Sequence, residues 1–128
     1  MRSLLAVLAS TMWISINEFV RNQVVLLDAW TAHYAASGLT FPAAPINGAV
    51  WGLWALAFAF TVFLVSRRFG LVQSAALAWL IGFVLMALVI GNLGVLPYGI
   101  LPIAIPWSMA EAFGAAWIGM RLDPVARS

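Results

Sequence analysis

The sequence predicts an all-α, polytopic integral membrane protein with four transmembrane helices, forming a single domain over residues 1–128. Three observations carry this. Of the 128 residues, 65% are hydrophobic and only 8% charged. The mean hydropathy is +1.05. The apolar residues fall into four long runs separated by Arg, Pro and Gly. A water-soluble domain cannot hide so much apolar surface. Four spans of about 20 residues use roughly 80 positions, which leaves short connections and no room for a second domain.

The spans are predicted at about 3–21, 46–66, 71–92 and 100–121. The first follows Arg2, and Val7-Leu8-Ala9 loosely fits a small-residue cleavage site. The apolar stretch before Ala9 is too short for a signal core, and hydrophobicity continues through Met12, Trp13, Ile14 and Ile16, so the segment is read as a span. Pro42 and Pro45 open the second span and Arg67 and Arg68 close it. Gly70 starts the third, so the second and third make a helical hairpin. Pro97, Pro102 and Pro106 crowd the entrance to the fourth. Residues 22–37 are predicted either to extend the first helix or to lie along the surface as an amphipathic helix, with Gly38 ending the segment.

Arg is retained on the cytoplasmic side during insertion. With four spans, Arg2, Arg67, Arg68, Arg121 and Arg127 all fall on one side, which predicts a multi-pass protein of a cell (inner) membrane with both termini cytoplasmic. Arg21 is the exception near the outer end of the first span, where Glu18 one turn earlier neutralises it. Trp30, Tyr34, Trp51, Trp54 and Tyr98 are expected at the outer interface, Trp51, Trp54 and Tyr98 being candidates for contact with lipid.

Composition also excludes functions. Six basic residues against four acids give a net charge of +2 with no basic stripe, so no nucleic-acid partner is expected. There is no Cys and a single His, His33, so no thiolate chemistry and no multi-histidine metal site can be built from one chain. No cofactor is predicted. Asp28, His33 and Ser37 have the residue types of a catalytic triad, but their spacing on a surface helix is ordinary, and an enzyme is the least favoured class.

Helices in lipid approach closely where small residues allow it. Candidate ladders are Gly48-xxx-Gly52, the Ser74, Ala78, Gly82 series, Ala110-xxx-Gly114 and Ala115-xxx-Gly119. They are expected to serve packing within the chain or a homo-oligomer interface.

Polar residues at membrane depth are the candidates for function. Thr11, Ser15, Glu18 and Asn22 share one helical stripe, flanked by Asn17 and Arg21. Glu111 lies about 15 Å from the inner end at 1.5 Å per residue, close to the midplane. Pro106 frees backbone one turn from Ser108 and Glu111, where a ligand or water would bind. Counting depth puts Trp13 level with Glu111 and Glu18 about 8 Å further out, which predicts no direct contact between the acids; Arg21 reaches Glu111 only by extending inward. Asn47 and Asn92 are expected in the outer pocket. The pathway candidates are therefore Ser15, Asn17, Glu18, Arg21, Asn22, Asn92, Ser108 and Glu111. The expected function is an oligomeric small-solute or ion transporter or channel. The alternatives are an accessory subunit of a larger membrane complex, or a lipid- or quinone-binding membrane protein.

Overall fold

The computed structural model describes residues 1–124, and these form helices and connecting turns with no strand. Arg127, used above to assign sides, lies outside the described residues. Four helical runs, Arg2–Val25, Pro45–Ser66, Leu71–Asn92 and Tyr98–Leu122, are long and apolar enough to cross a membrane. The chain is a four-span helical membrane protein.

Helix α1 (Arg2–Phe19) runs directly into a π-helical turn, Val20–Val25, in which the Leu26 N–H bonds back five residues to the Arg21 carbonyl at 2.8 Å. Leu26, at φ −106° and ψ 8°, breaks the helix, and α2 (Leu27–Ala36) starts afresh. The segment 22–37 is thus divided: its first residues complete the first span and the rest form a separate short helix. The polar stripe of α1 therefore does not continue to His33. Helix α2 buries none of its residues. His33 Nε2 lies 2.8 Å from the Gly94 carbonyl, which ties α2 to the link between the third and fourth spans. Gly94 holds that link at φ +77°, a conformation that costs a residue with a Cβ.

Helix α3 (Pro45–Ser66) begins with a proline whose missing N–H would have had no partner there. Asn47 Oδ1 accepts the Ala44 N–H at 3.1 Å and closes this end. Gln73 does the same for the start of α4 (Leu71–Trp79), accepting the Gly70 N–H at 3.3 Å. The third span then passes through a second π-helical turn, Leu80–Val84, into α5 (Leu85–Asn92). A 3₁₀ turn at Tyr98–Ile100 leads into α6 (Leu101–Leu122).

Helix α6 is the centre of the bundle, packed on α1, α3 and α4. Its register against α1 is fixed by side-chain bonds that step evenly along both helices. Ser3 Oγ donates to Asp123 Oδ2 at 2.6 Å, Ser10 Oγ to the Ala115 carbonyl at 3.1 Å and Trp13 Nε1 to the Glu111 carbonyl at 2.9 Å, while Trp107 Nε1 donates to Asn17 Oδ1 at 2.9 Å. The two helices are antiparallel. Asp123 also accepts from Arg67 at 3.1 Å, so both ends of the described chain and the tight turn after α3 meet at one end of the molecule, with α2 at the other.

The core is built from small residues and a few rings. Ile14, Ala55, Ala59, Val62, Ala78, Ala112, Ala115 and Ala116 are buried together with Phe58 and Phe83. Three of the four small-residue ladders contribute to it in whole or part. Ser74, Ala78 and Gly82 are buried, as are Ala115 and Gly119; Gly114 packs on Trp13, although Ala110 is exposed. A Cβ on Gly82 would stand 2.4 Å from the Phe58 ring, and one on Gly114 would stand 2.5 Å from the Trp13 indole. Gly48 and Gly52 are different: they are exposed, with nothing within 4 Å of an added Cβ. That ladder packs nothing within the chain.

Gly82→Ala and Gly114→Ala should each lower stability by about 1–3 kcal/mol, because the rings they meet are held in place and cannot retreat. Gly48→Ala and Gly52→Ala should be close to neutral. Thermal unfolding in mild detergent separates the two pairs, and equal effects would contradict the packing described. The absence of Cys makes topology equally direct to test. Single cysteines at exposed Arg2 and Arg68 should label from one side of sealed vesicles and one at exposed Ser37 from the other.

Candidate functional site

The first and fourth spans meet around Arg21, whose guanidinium is buried between two carboxylates. Arg21 pairs with Glu18 one turn back on its own helix and, at 2.5 Å, with Glu111 Oε2 of α6. Arg21 is 4% exposed, Glu18 8% and Glu111 0%. A second oxygen of Glu18 accepts from Asn22 Nδ2 at 3.0 Å, and Asn22 Oδ1 accepts from Trp30 Nε1 of α2 at 3.0 Å. One bonded chain therefore runs from α2 through the π turn of the first span into α6. Glu111 Oε1 is enclosed and receives no hydrogen bond from a donor among the described residues.

This corrects the depth argument. The even register of α1 on α6 sets Trp13 beside Glu111, and by the same count Arg21 stands roughly 12 Å further along the axis. The long Arg side chain and the Glu111 side chain together span that distance. Arg21 is consequently a core residue rather than an interfacial one, and Glu18 and Glu111 share this cation and lie within hydrogen-bonding reach of each other, contrary to the expectation of no contact between the acids. Burial also explains why the contact forms: a charge in an apolar bundle must find its opposite, and among the described residues no other cation pairs with these acids.

The end of the bundle beyond this cluster is open. Helix α5 stands apart from α3 and packs instead through Ala87 and Ile90 on Leu96 and Ile100 of the following link. The gap is a cavity of about 720 Å³, within the size range of small-molecule sites. Glu18, Arg21, Asn22, Gln23, Asn47 and Ser108 supply its polar lining, and Trp30, Tyr34, Phe41, Trp51, Trp79, Phe83 and Tyr98 its aromatic walls. Its rim includes exposed Val50, Trp51 and Leu88, so it opens sideways between the second and third spans. The rings are organised: Trp30 stacks on Phe41 at 5.9 Å, Tyr34 meets Phe41 edge-on at 5.3 Å, and the Arg21 guanidinium lies 5.4 Å from the centre of the Phe83 ring. A smaller cleft of about 550 Å³ between α1 and α3 shares Glu18 and Asn22 and is flanked by Ser15, Gly48 and Gly52.

Of the pathway candidates, Glu18, Arg21, Asn22 and Ser108 come together on the large cavity, with Glu111 behind them. Ser15 faces the smaller cleft. Asn17 is turned away, receiving Trp107 and donating to the Trp13 carbonyl at 2.8 Å. Asn92 is exposed and lines neither space, since it ends α5 on the outward side; Asn47 lines both. Among the interface candidates, Trp51 and Tyr98 edge the cavity, whereas Trp54 packs in the core, stacked on Phe58 at 5.1 Å. Pro102 and Pro106 are exposed on α6, and neither lines the large cavity or the smaller cleft. Nor do Asp28, His33 and Ser37 form a triad: Ser37 Oγ donates to the His33 carbonyl, and the His33 ring is engaged with Gly94.

Several site residues were not singled out from sequence. Trp79 Nε1 donates to Ser108 Oγ at 2.9 Å and fixes that hydroxyl, which in turn donates to the Ile105 carbonyl at 2.9 Å. Gln23, Phe41 and Phe83 also lie on the cavity. An indole inside an apolar run needs an acceptor for its N–H, and that rule, applied to the sequence, marks Trp13, Trp79 and Trp107.

No known protein-family model matches the chain, and neither curated proteins nor solved structures provide a match.

Arg21→Met leaves two buried carboxylates without a counter-charge and should cost about 3–5 kcal/mol. Adding Glu18→Gln and Glu111→Gln to it should restore most of that loss. Heat-induced loss of the monodisperse peak in detergent gives the order, and a triple variant no better than Arg21→Met would show that the charges are not what holds the site.

Proposed function

We propose that this protein binds a lipid-soluble amphiphile, of lipid or quinone type, that enters its cavity from the bilayer. The observation that carries the reading is the shape and chemistry of that space together: about 720 Å³, open sideways between two spans, walled by rings and aliphatic chains, with polar groups gathered at Glu18, Arg21 and Asn22. An occupant with an apolar body and one polar group satisfies both regions. The opposite half of the bundle is closed by the packed core, so binding from one end is the simplest use of the geometry.

A second reading, small-solute or ion transport, is favoured by the uneven charge of the cluster, two carboxylates to one guanidinium, at the floor of the cavity. In that reading the pathway runs within one chain rather than between copies, because Glu18 and Glu111 are enclosed by their own helices. The exposed Gly48 and Gly52 support association with a second copy or with a larger membrane complex, in which this chain would be an accessory subunit. The clustering of Arg2, Arg67, Arg68 and Arg121 supports an inner-membrane orientation with that end, and both termini, in the cytoplasm.

Protein excised with its surrounding lipid by a styrene–maleic acid polymer should retain an amphiphile enriched well above its share of the bulk membrane. Ala87→Trp, which places an indole in the cavity, should lose that enrichment, and an unchanged thermal unfolding midpoint checks that the packing of α5 on Leu96 and Ile100 is kept. Identical extracts from the two proteins, matching bulk lipid, would rule the binding function out.

A further inference from the structure

We propose that the occupant of the cavity carries a positive charge: a lipid-soluble cation, of the quaternary ammonium or phosphonium class, with apolar or aromatic substituents. This rests on the amphiphile-binding reading and adds the sign of the ligand's charge.

The argument starts from electrostatic balance. Among the described residues, the end of the molecule that holds the cavity places Glu18 and Glu111 at the cluster against Arg21, with Asp28 exposed on α2 away from the cavity lining, while Arg2, Arg67, Arg68 and Arg121 belong to the other end. Arg21 does not offer itself to an anion. Both terminal nitrogens of its guanidinium are engaged by carboxylates, and its face lies against the Phe83 ring. Glu18 and Glu111 outnumber the one guanidinium between them, so the cluster reaches neutrality only with one proton held by the acids or one further cation in its place. In a low-dielectric site such a deficit attracts a cation and repels an anion strongly.

The walls favour the same sign by an independent route. Trp30, Trp51, Trp79 and Tyr98 contribute aromatic rings to the cavity, and the negative face of an aromatic ring attracts a cation, most of all where water is excluded. A strongly hydrated metal ion is a poor fit to such walls. A large organic cation that sheds its water readily can use the rings and the acids together.

Tetraphenylphosphonium and tetraphenylborate form a matched pair of probes, alike in shape and opposite in charge. Binding of each to the whole protein in nanodiscs, measured by equilibrium dialysis and corrected against empty nanodiscs, reads the preference directly. Wild type should bind the phosphonium saturably and at least 10-fold more tightly than the borate. Glu18→Gln, in which Arg21 still has Glu111, should weaken phosphonium binding 10-fold or more, whereas Asp28→Asn, on an exposed position of α2, should change it less than threefold. Equal affinity for both ions, or a preference for the borate, overturns the proposed charge; if Ala87→Trp abolishes that binding, the amphiphile reading survives. Phosphonium binding untouched by both Ala87→Trp and Glu18→Gln places the ion elsewhere and overturns both readings.

Discussion

The architecture turns on a guanidinium held between two carboxylates inside an apolar bundle. Arg21 enters from the first span and Glu111 from the fourth, so their bond is a long-range one that ties the start of the chain to its end. A salt bridge of this kind adds little net stability compared with well-packed apolar groups, since three charges must be stripped of water to form it. What it does impose is uniqueness. Any sliding of α1 on α6 strands a charge in an apolar medium, so the register marked by Ser3, Ser10, Trp13 and Asn17 is the one in which Arg21 meets both carboxylates.

The bundle on either side of this cluster follows two different packing rules. Toward the chain termini, Ala and Gly bring helix axes close, and rings such as Phe58 and Trp13 fill what the missing side chains leave. Toward α2, the third span leans away and large aromatic side chains line the space without filling it. The difference is compositional. Ala112, Ala115, Ala116 and Gly119 occupy the inward face of α6 in its second half, whereas Leu101, Ala104, Ile105 and Ser108 hold the corresponding face of its first half. With bilayer tails as apolar as Leu, no hydrophobic force closes that half onto its aromatic walls.

Most of the fold was legible in the sequence because membrane insertion leaves few alternatives: four apolar runs must be four helices, and Arg67, Arg68 and Gly70 must be the turn between two of them. That Glu18, Arg21, Asn22, Ser108 and Glu111 would have to find partners inside the bundle was equally accessible, since polar groups in lipid need them. Their connection was not. The depth count allowed Arg21 an inward reach but no matching reach from Glu111, and the two side chains together cross roughly two helical turns. The stripe through Thr11 and Ser15 was also displaced by one position from the face that is buried, which runs through Ala6, Ser10, Ile14 and Glu18; Thr11 instead returns its hydroxyl to the Val7 carbonyl of its own helix. Asn92 shows the complementary failure, because an amide at a helix end looks the same in sequence whether it faces a pocket or the outside. Trp54 was misjudged since interfacial position and core stacking draw on the same residue type.

The two π-helical turns explain why the change in packing comes where it does. One extra residue per turn widens a helix locally and rotates everything beyond it relative to what came before, and such turns concentrate at functional sites. In the first span the widened turn is Val20–Val25 and contains Arg21; in the third it is Leu80–Val84 and contains Phe83. The guanidinium of one and the ring of the other are in contact, so the two irregular turns meet across the bundle at the edge of the cavity. Regular helices through both positions would carry the close packing of the terminal half straight on and direct Arg21 along a different face. The rotation lets a single helix present Ser10 and Ile14 to a tight core and then, a few residues later, turn a cation inward and an amide toward α2. The irregularity is thus the local means by which a chain of only four spans holds a packed core and a ligand-sized space in one unit.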